Sequence, residues 1–228
     1  MTKYIDRYYL NWEEYGIKFA GWGGWRQPWA NTIAYYPLTN DFNDYSWNGN
    51  NLTGYNSATI WTLSGMTCLD LTANSSYISW TVSNIPQGNQ ARTNMFWVKW
   101  NNIWNYPVYW YGSSGSGRWD TVYSNSNITW SQYGGAVYSD VYEDISNRIH
   151  VAITTSGNSI VLYVNWAIQK SGSLTVNTNG TTLYLGKNPW DNAYLNWYIS
   201  QFIIEDKVRT AQEISDYYDQ TKSLYWIS

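Results

Sequence analysis

Short runs of Tyr, Val, Ile, Thr and Trp alternate with clusters of Asn, Gly and Ser along most of this chain. That two-residue period, broken at close intervals by turn formers, predicts many short antiparallel strands in a sandwich or barrel. The clearest unit lies between Arg148 and Ser171. Ile149, Val151 and Ile153 alternate, Ser156-Gly157-Asn158 turns the chain, and Ser159 to Val164 returns. Asn165-Trp166 then separates that strand from a third at Ala167 to Lys170, completing an antiparallel meander whose predicted core positions are Ile149, Val151, Ile153 and Leu162. Near the C-terminus the period changes. Thr210 and Glu213 have capping-box spacing, and Ile214, Tyr217 and Tyr218 follow at helical spacing, which predicts one short helix outside the sheets.

The opening of the chain reads differently. Lys3 to Leu10 and Glu13 to Phe19 flank Asn11-Trp12 as a small hairpin, and the Gly- and Trp-rich stretch from Gly21 to Asn31 follows as a linker. The expected division is residues 1–31 as hairpin and linker, and residues 32–228 as the main domain. No internal repeat of the kind that builds solenoids or propellers is visible.

Composition narrows the function classes. Charged residues are 13% of the 228, against about 25% in an ordinary soluble domain, so Asn, Ser, Thr and Gly must carry solubility. Thirteen Lys and Arg against 16 Asp and Glu leave a net charge of -3 with no basic run, which removes the footprint that a nucleic-acid partner requires. No apolar stretch reaches the length of about 18 residues that would predict membrane insertion, and Met1 to Leu10 lacks the apolar run of a signal peptide. Cys68 stands alone, so an intrachain disulfide is excluded, and no cluster has zinc-finger spacing.

Thr32 to Asn50 reads TIAYYPLTNDFNDYSWNGN, an apolar strand followed by an acidic turn. Cys68-Leu69-Asp70-Leu71, Ser76-Tyr77-Ile78 and Met95-Phe96-Trp97-Val98-Lys99 come next, then His150 to Thr154, Val161 to Asn165, Leu183 to Gly186 and Tyr198 to Phe202. In that order these strings resemble the strands of laminin-G-like, concanavalin A-like lectin-glucanase jelly-roll domains. The resemblance implies an all-β fold of two antiparallel sheets packed face to face, with one short C-terminal helix. It also implies an architecture used for sugar binding, adhesion and, in some relatives, glycan hydrolysis.

Catalysis finds little support in the residues. Glucanases on this scaffold set their carboxylates on alternate positions of one strand, so that acid and nucleophile flank one bond. The glutamates are Glu13, Glu14, Glu143, Glu205 and Glu213; the nearest grouping, Asp140, Glu143 and Asp144, has offsets that do not share a strand face. His150 is the single histidine and has no triad to join, so a structural role is expected. For calcium the resemblance leaves two outcomes. Asp44, with Asp41 just upstream, matches the carboxylate of a family calcium turn, or it is an Asx-turn residue bonding its own loop. Ser200-Gln201 stands where many relatives carry an Asp pair.

Seventeen tryptophans invite a ligand-binding reading, because sugars stack on aromatic faces while amides and carboxylates bind their hydroxyls. Tyr109, Trp110, Tyr111, Trp119, Asp120, Trp130, Trp190, Asp191 and Asn192 fall in stretches that read as loops and are the expected ligand residues. A different account applies at turns. Trp47, Trp166 and Trp197 occupy positions where the family carries Gly, and Trp12 follows Asn11 in another expected turn. Trp29 and Trp190 each follow a Pro, as the Gly of a Pro-Gly turn would. Positive φ at such positions costs Gly nothing and strains a bulky residue. UGA is read as Gly in some bacterial lineages and as Trp in another table, so some of these residues are expected to stand for native glycines.

The expected function is a non-catalytic carbohydrate-binding or adhesion module, extracellular or on a virion surface, with a glycan or surface receptor as partner. A structural or protein-interaction domain of a larger assembly is the alternative, and a glycosidase ranks third.

Overall fold

The computed structural model describes residues 30–99, 106–113, 119–124, 127–132, 135–138 and 147–225. The expected N-terminal hairpin, Trp12 and Trp29, and the acidic group of Asp140, Glu143 and Asp144 lie outside the described residues.

Strand β6 (Arg92–Lys99) shows why the middle of a central strand, Met95 to Val98, is apolar without interruption. Phe96 and Val98 point into the space between two sheets, whereas Met95 and Trp97 point the other way and are buried as well. Both faces of this strand are covered, so alternation in hydrophobicity disappears. β6 lies inside a sheet that begins at one edge with β13 (Ala167–Ser173), β12 (Ser159–Val164) and β11 (Ile149–Ser156). It continues past β6 through β17 (Tyr198–Glu205) and β4 (Met66–Asp70) to β3 (Thr59–Leu63). β1 (Thr32–Tyr36) pairs with the second half of β17, opposite Phe202 to Glu205. The predicted meander is therefore β11-β12-β13, with Val164 opposite Ala167 across the Asn165-Trp166 turn. Ile149, Val151, Ile153 and Leu162 are buried as expected.

The second sheet is ordered β10 (Gly135–Tyr138), β9 (Ile128–Gln132), β8 (Trp119–Ser124), β7 (Tyr106–Gly112), β14 (Thr182–Leu185), β5 (Tyr77–Thr81) and β2 (Thr53–Tyr55). All paired strands in both sheets are antiparallel. The main core is the layer between the sheets, with Phe96, Val151 and Phe202 from one side meeting Ile78, Val122 and Leu183 from the other. A two-residue pair, β15 (Lys187–Asn188) with β16 (Ala193–Tyr194), forms a separate small ribbon beside β7.

Helix α1 (Ala211–Tyr225) covers the outer face of the first sheet. Its capping box is formed in both directions: Thr210 Oγ1 accepts the Glu213 N–H at 3.2 Å, and Glu213 Oε2 accepts the Thr210 N–H at 2.8 Å. Ile214 and Tyr217 pack on Tyr35, Met95, Ala152 and Ile203, and Tyr218 and Tyr225 on Trp97. His150 is fully buried in this layer, 5.3 Å from the rings of both Trp97 and Tyr217. Among the described residues neither of its ring nitrogens has a hydrogen-bond partner. Burial, reinforced by the charge of Arg209, lowers its pKa to about 3, so it is neutral and structural.

The three turn tryptophans divide. Trp47 and Trp166 have φ of 75° and 73° and are 62% and 52% exposed, as expected of side chains on turns shaped for Gly. Trp197 corrects the expectation. It is not among the residues with positive φ, and at 0% exposure it sits in the main core, where its bulk is part of the packing. Trp190 is exposed but likewise lacks positive φ; in its turn that conformation falls on Asn192, at 54°.

Candidate ligand-binding face

With α1 on the first sheet, the outward face of the second sheet is where strand side chains can meet a ligand. At its β14-β5-β2 end β14 alternates regularly, whereas β5 ends on the exposed pair Trp80 and Thr81. Ile78, Leu183 and Leu185 point into the core, and Tyr77, Ser79, Thr182 and Tyr184 point out. Tyr55 and Tyr77 are directly opposite in register and stack with centroids 4.7 Å apart and planes 8° from parallel. Tyr77 is the hub of a cluster, its ring 6.2 Å from Tyr184 and 6.0 Å from Tyr194. These separations fall in the range of favourable aromatic pairs.

Two shallow clefts flank the cluster. One, of about 260 Å³, is lined by Tyr55, Tyr77, Ser79, Trp80, Thr81, Thr182 and Tyr184. The other, of about 300 Å³, lies between the Thr72–Ser75 loop and residues 192–196. Tyr77 belongs to the first and Tyr194 to the second, so their contact joins the clefts into one strip. Lys187 lies against this junction, its Nζ 4.4 Å from the Tyr77 ring centroid and 5.3 Å from that of Tyr194.

Gly186 sets the position of that lysine. Its φ is 84°, and a Cβ there would collide with Cδ1 of the buried Leu71. Its N–H donates to Val108 O and its carbonyl accepts from Leu195 N–H, which ties the β15-β16 ribbon to β7. Only Gly meets both the backbone sign and the close approach without strain.

The structure corrects most of the ligand residues expected from sequence. Tyr109, Trp110 and Tyr111 are on β7, Trp119 and Asp120 on β8 and Trp130 on β9, all strands where loops were expected. Tyr109, Tyr111, Asp120 and Trp130 are fully buried between the sheets, and Trp110 is 4% exposed. Their polar atoms bind one another. Asp120 accepts Arg92 Nε–H at 2.9 Å, Tyr109 O–H at 2.6 Å and Trp130 Nε1–H at 2.9 Å, and Tyr109 Oη accepts from Asn94 Nδ2–H. Arg92 also donates to Thr178 Oγ1 and to the carbonyls of Gly88 and Gln90. Burial, and then the charge of Asp120, push the Tyr109 phenol well above its usual range, which keeps it a donor. This network joins β6 to β7, β8 and β9 across the core, out of a ligand's reach.

Trp190, Asp191 and Asn192 form the turn of the β15-β16 ribbon. Asn188 Oδ1 accepts Trp190 N–H, Asp191 Oδ1 accepts Ala193 N–H, and Asn192 lines the second cleft. Of the expected set, this turn is what borders the strip. Sequence reasoning missed Tyr55, Tyr77, Tyr184, Tyr194 and Lys187. The available signal was tyrosine at the outward positions of strands whose alternate residues, Ile78, Leu183 and Leu185, are aliphatic.

The acidic turn organises backbone. Asp44 Oδ1 accepts the N–H groups of Tyr35 and Ser46, and its Oδ2 accepts Asn50 N–H and Ser46 Oγ–H. Asp41 accepts from Asn43 and from Tyr45 O–H. Calcium takes six to eight oxygens, and here the Asp44 oxygens face hydrogen-bond donors, so this donor set does not fit the ion. Of the two outcomes left open by the sequence, the geometry is that of the Asx turn. Among the described residues no three of His, Cys, Asp and Glu group to hold a metal. No helix of the described chain is long and apolar enough to cross a membrane.

Solved structures share this fold. Domain 4 of AbnA, a GH43 extracellular arabinanase from Geobacillus stearothermophilus solved with arabinotriose, superposes with a TM-score of 0.66 at 16% identity, over 82% of this chain and 97% of that one. A botulinum neurotoxin type C structure, described as entering cells through two ganglioside molecules, gives 0.65 at 15% identity, over 83% and 51%. The binding domain of Paraclostridial Mosquitocidal Protein 1 gives 0.66 at 17%, over 82% and 52%. The chain thus spans about half the length of the two toxin structures. At these identities the likeness is one of fold. No curated protein matches the sequence. The family model described as Laminin_G_3, concanavalin A-like lectin/glucanases superfamily, matches residues 72–215. That is more than half of the 228 residues, and the chain belongs to this superfamily.

Proposed function

We propose that the protein is a non-catalytic carbohydrate-binding module whose ligand lies along the strip from Tyr55 to Tyr194. The observation that carries this reading is the tyrosine cluster on the sheet face left open by α1, flanked by clefts rich in Ser, Thr and Asn. Rings supply surfaces for sugar C–H faces, and hydroxyls and amides supply partners for sugar hydroxyls. Fold neighbours described with arabinotriose and with gangliosides support a sugar ligand. The non-catalytic part is supported by the glutamates that are described: Glu205 is buried against Arg209, and Glu213 caps α1 and pairs with Lys207.

In this reading residues 32–228 are the binding module, and residues 1–31 join it as hairpin and linker to a larger surface structure, such as a phage tail or cell-surface fibre, for adhesion. The exposed Trp61 and Ile168 favour the alternative of a protein-interaction domain. A glycan array on the full chain, repeated with Tyr55→Ala/Tyr77→Ala, decides between them. Binding that free sugar inhibits and the double variant loses is expected. Silence across the array, with binding to a protein partner, would replace the module with the interaction domain.

The exposed indoles at Trp47 and Trp166 are no part of this site. Both stand on turns with positive φ, a backbone suited to Gly, which supports their being native glycines read through UGA.

A further inference from the structure

Lys187 is the charged group at the centre of the strip, and no charged residue lines either cleft. Among the described residues its ammonium has neither a carboxylate within ion-pair distance nor a hydrogen-bond acceptor. Asp191, on the turn of the same ribbon, directs Oδ1 to the Ala193 N–H. Asp70, next to the Thr72 loop, directs Oδ1 to the N–H and hydroxyl of Thr72. The protein as a whole is acidic, with a net charge of -3, so a cation held on two rings at the junction of both clefts runs against its overall charge.

A cation on tyrosine rings still has donors for an anion, and charge-assisted hydrogen bonds are stronger than neutral ones. The tyrosines fix where those donors are. A sugar ring stacked on Tyr55 or Tyr194 would bring its substituents to the junction, where a neutral hydroxyl would leave the ammonium without a countercharge.

From this arrangement we infer that the strip selects glycans bearing an anionic group, carboxylate or sulfate, with Lys187 as the residue that determines the selection. The inference rests on the carbohydrate-binding reading of the same strip and adds the charge of the ligand. Tyr77 and Tyr194 hold the ammonium in place, Gly186 sets its backbone, and the clefts on either side accept the neighbouring sugars.

The test uses the full chain with three sets of oligosaccharides: carboxylated (sialyllactose, oligogalacturonate), sulfated (heparin fragments) and neutral (lactose, arabinotriose). Calorimetry should show an anionic set bound at least about tenfold more tightly than the neutral set, the strength of a charged hydrogen bond. That preference should shrink as salt is raised, because the junction is open to solvent. Lys187→Gln should abolish the preference, whereas Lys187→Arg should keep it. The carboxylated and sulfated sets show which anion is selected. Equal binding of anionic and neutral glycans by the wild type, or a preference indifferent to both salt and Lys187→Gln, overturns the inference and leaves the module standing. No binding in any set overturns both. The salt series on the wild-type chain tests the selection even where a variant fails to fold.

Discussion

Replacing Trp47 and Trp166 together with Gly should stabilise the protein, and replacing Trp197 with Gly should unfold it, although the sequence resemblance leads to an expectation of Gly at all three. At the β12-β13 turn Asn165 and Trp166 have φ of 46° and 73°, the sign a type I′ hairpin requires at both central residues. Trp47 has φ of 75° in the acidic turn. An L-residue held in the left-handed region loses about 1–2 kcal/mol. Introducing Gly returns part of that, about 0.5–1 kcal/mol, through the entropy of the unfolded chain. The net gain is about 0.5–1 kcal/mol at each site, and the turns are on different loops, so the two gains should add. For a chain of this size each kcal/mol moves the Tm by about 2–4 °C, which puts the double variant roughly 2–8 °C above the parent. Trp197→Gly removes a fully buried indole from the core and should cost about 3–5 kcal/mol or more. Thermal unfolding followed by circular dichroism reads both signs. An unchanged or lower Tm for Trp47→Gly/Trp166→Gly would refute the strain argument, and with it the support for recoding at these turns. A raised Tm carries the recoding expectation forward: in protein from the native source, mass spectrometry should find Gly at 47 and 166 and Trp at 197.

Further expectations concern buried groups and the ribbon. His150 has a folded pKa of about 3 against an ordinary value of 6.5, so the unfolded chain takes up its proton first and stability falls as pH drops. Its contribution is complete above about pH 7 and about 4 kcal/mol of it is lost by pH 3; the fall from pH 7 to 5.5 should remove about 1 kcal/mol, and urea titrations of His150→Phe should lack that slope. Asp120→Ala leaves Arg92 buried without its carboxylate and should cost about 3–5 kcal/mol in urea unfolding; a loss below about 1 kcal/mol would mean that the network does not hold the two sheets. Gly186→Ala should shift the β15-β16 ribbon and weaken glycan binding more than Trp190→Ala does, since its Cβ would strike Leu71 whereas the Trp190 indole projects into solvent.

Local physics was legible from the chain itself. Alternation at Ile149, Val151 and Ile153, the turn formers that follow them and the Thr210–Glu213 box each act within a few residues, and each appears in the structure where the pattern put it. The sandwich followed from the order of such strings. What sequence by itself did not determine was which aromatic faces water. Tyr109 and Tyr184 are both tyrosines on strands of the same sheet, paired through β7 and β14, yet one bonds Asp120 inside the core and the other lines the open cleft. The difference is one of register, and a strand's two faces are told apart only by what packs against them. Trp166 and Trp197 likewise share a preceding Asn, but one indole meets solvent and the other fills the space between sheets. The strip itself is assembled from β2, β5, β14 and the β15-β16 ribbon, segments far apart in the chain. Tertiary structure decided the site because stacking of Tyr55 on Tyr77, and of Lys187 on both Tyr77 and Tyr194, exists only once long-range strand pairing has brought them together.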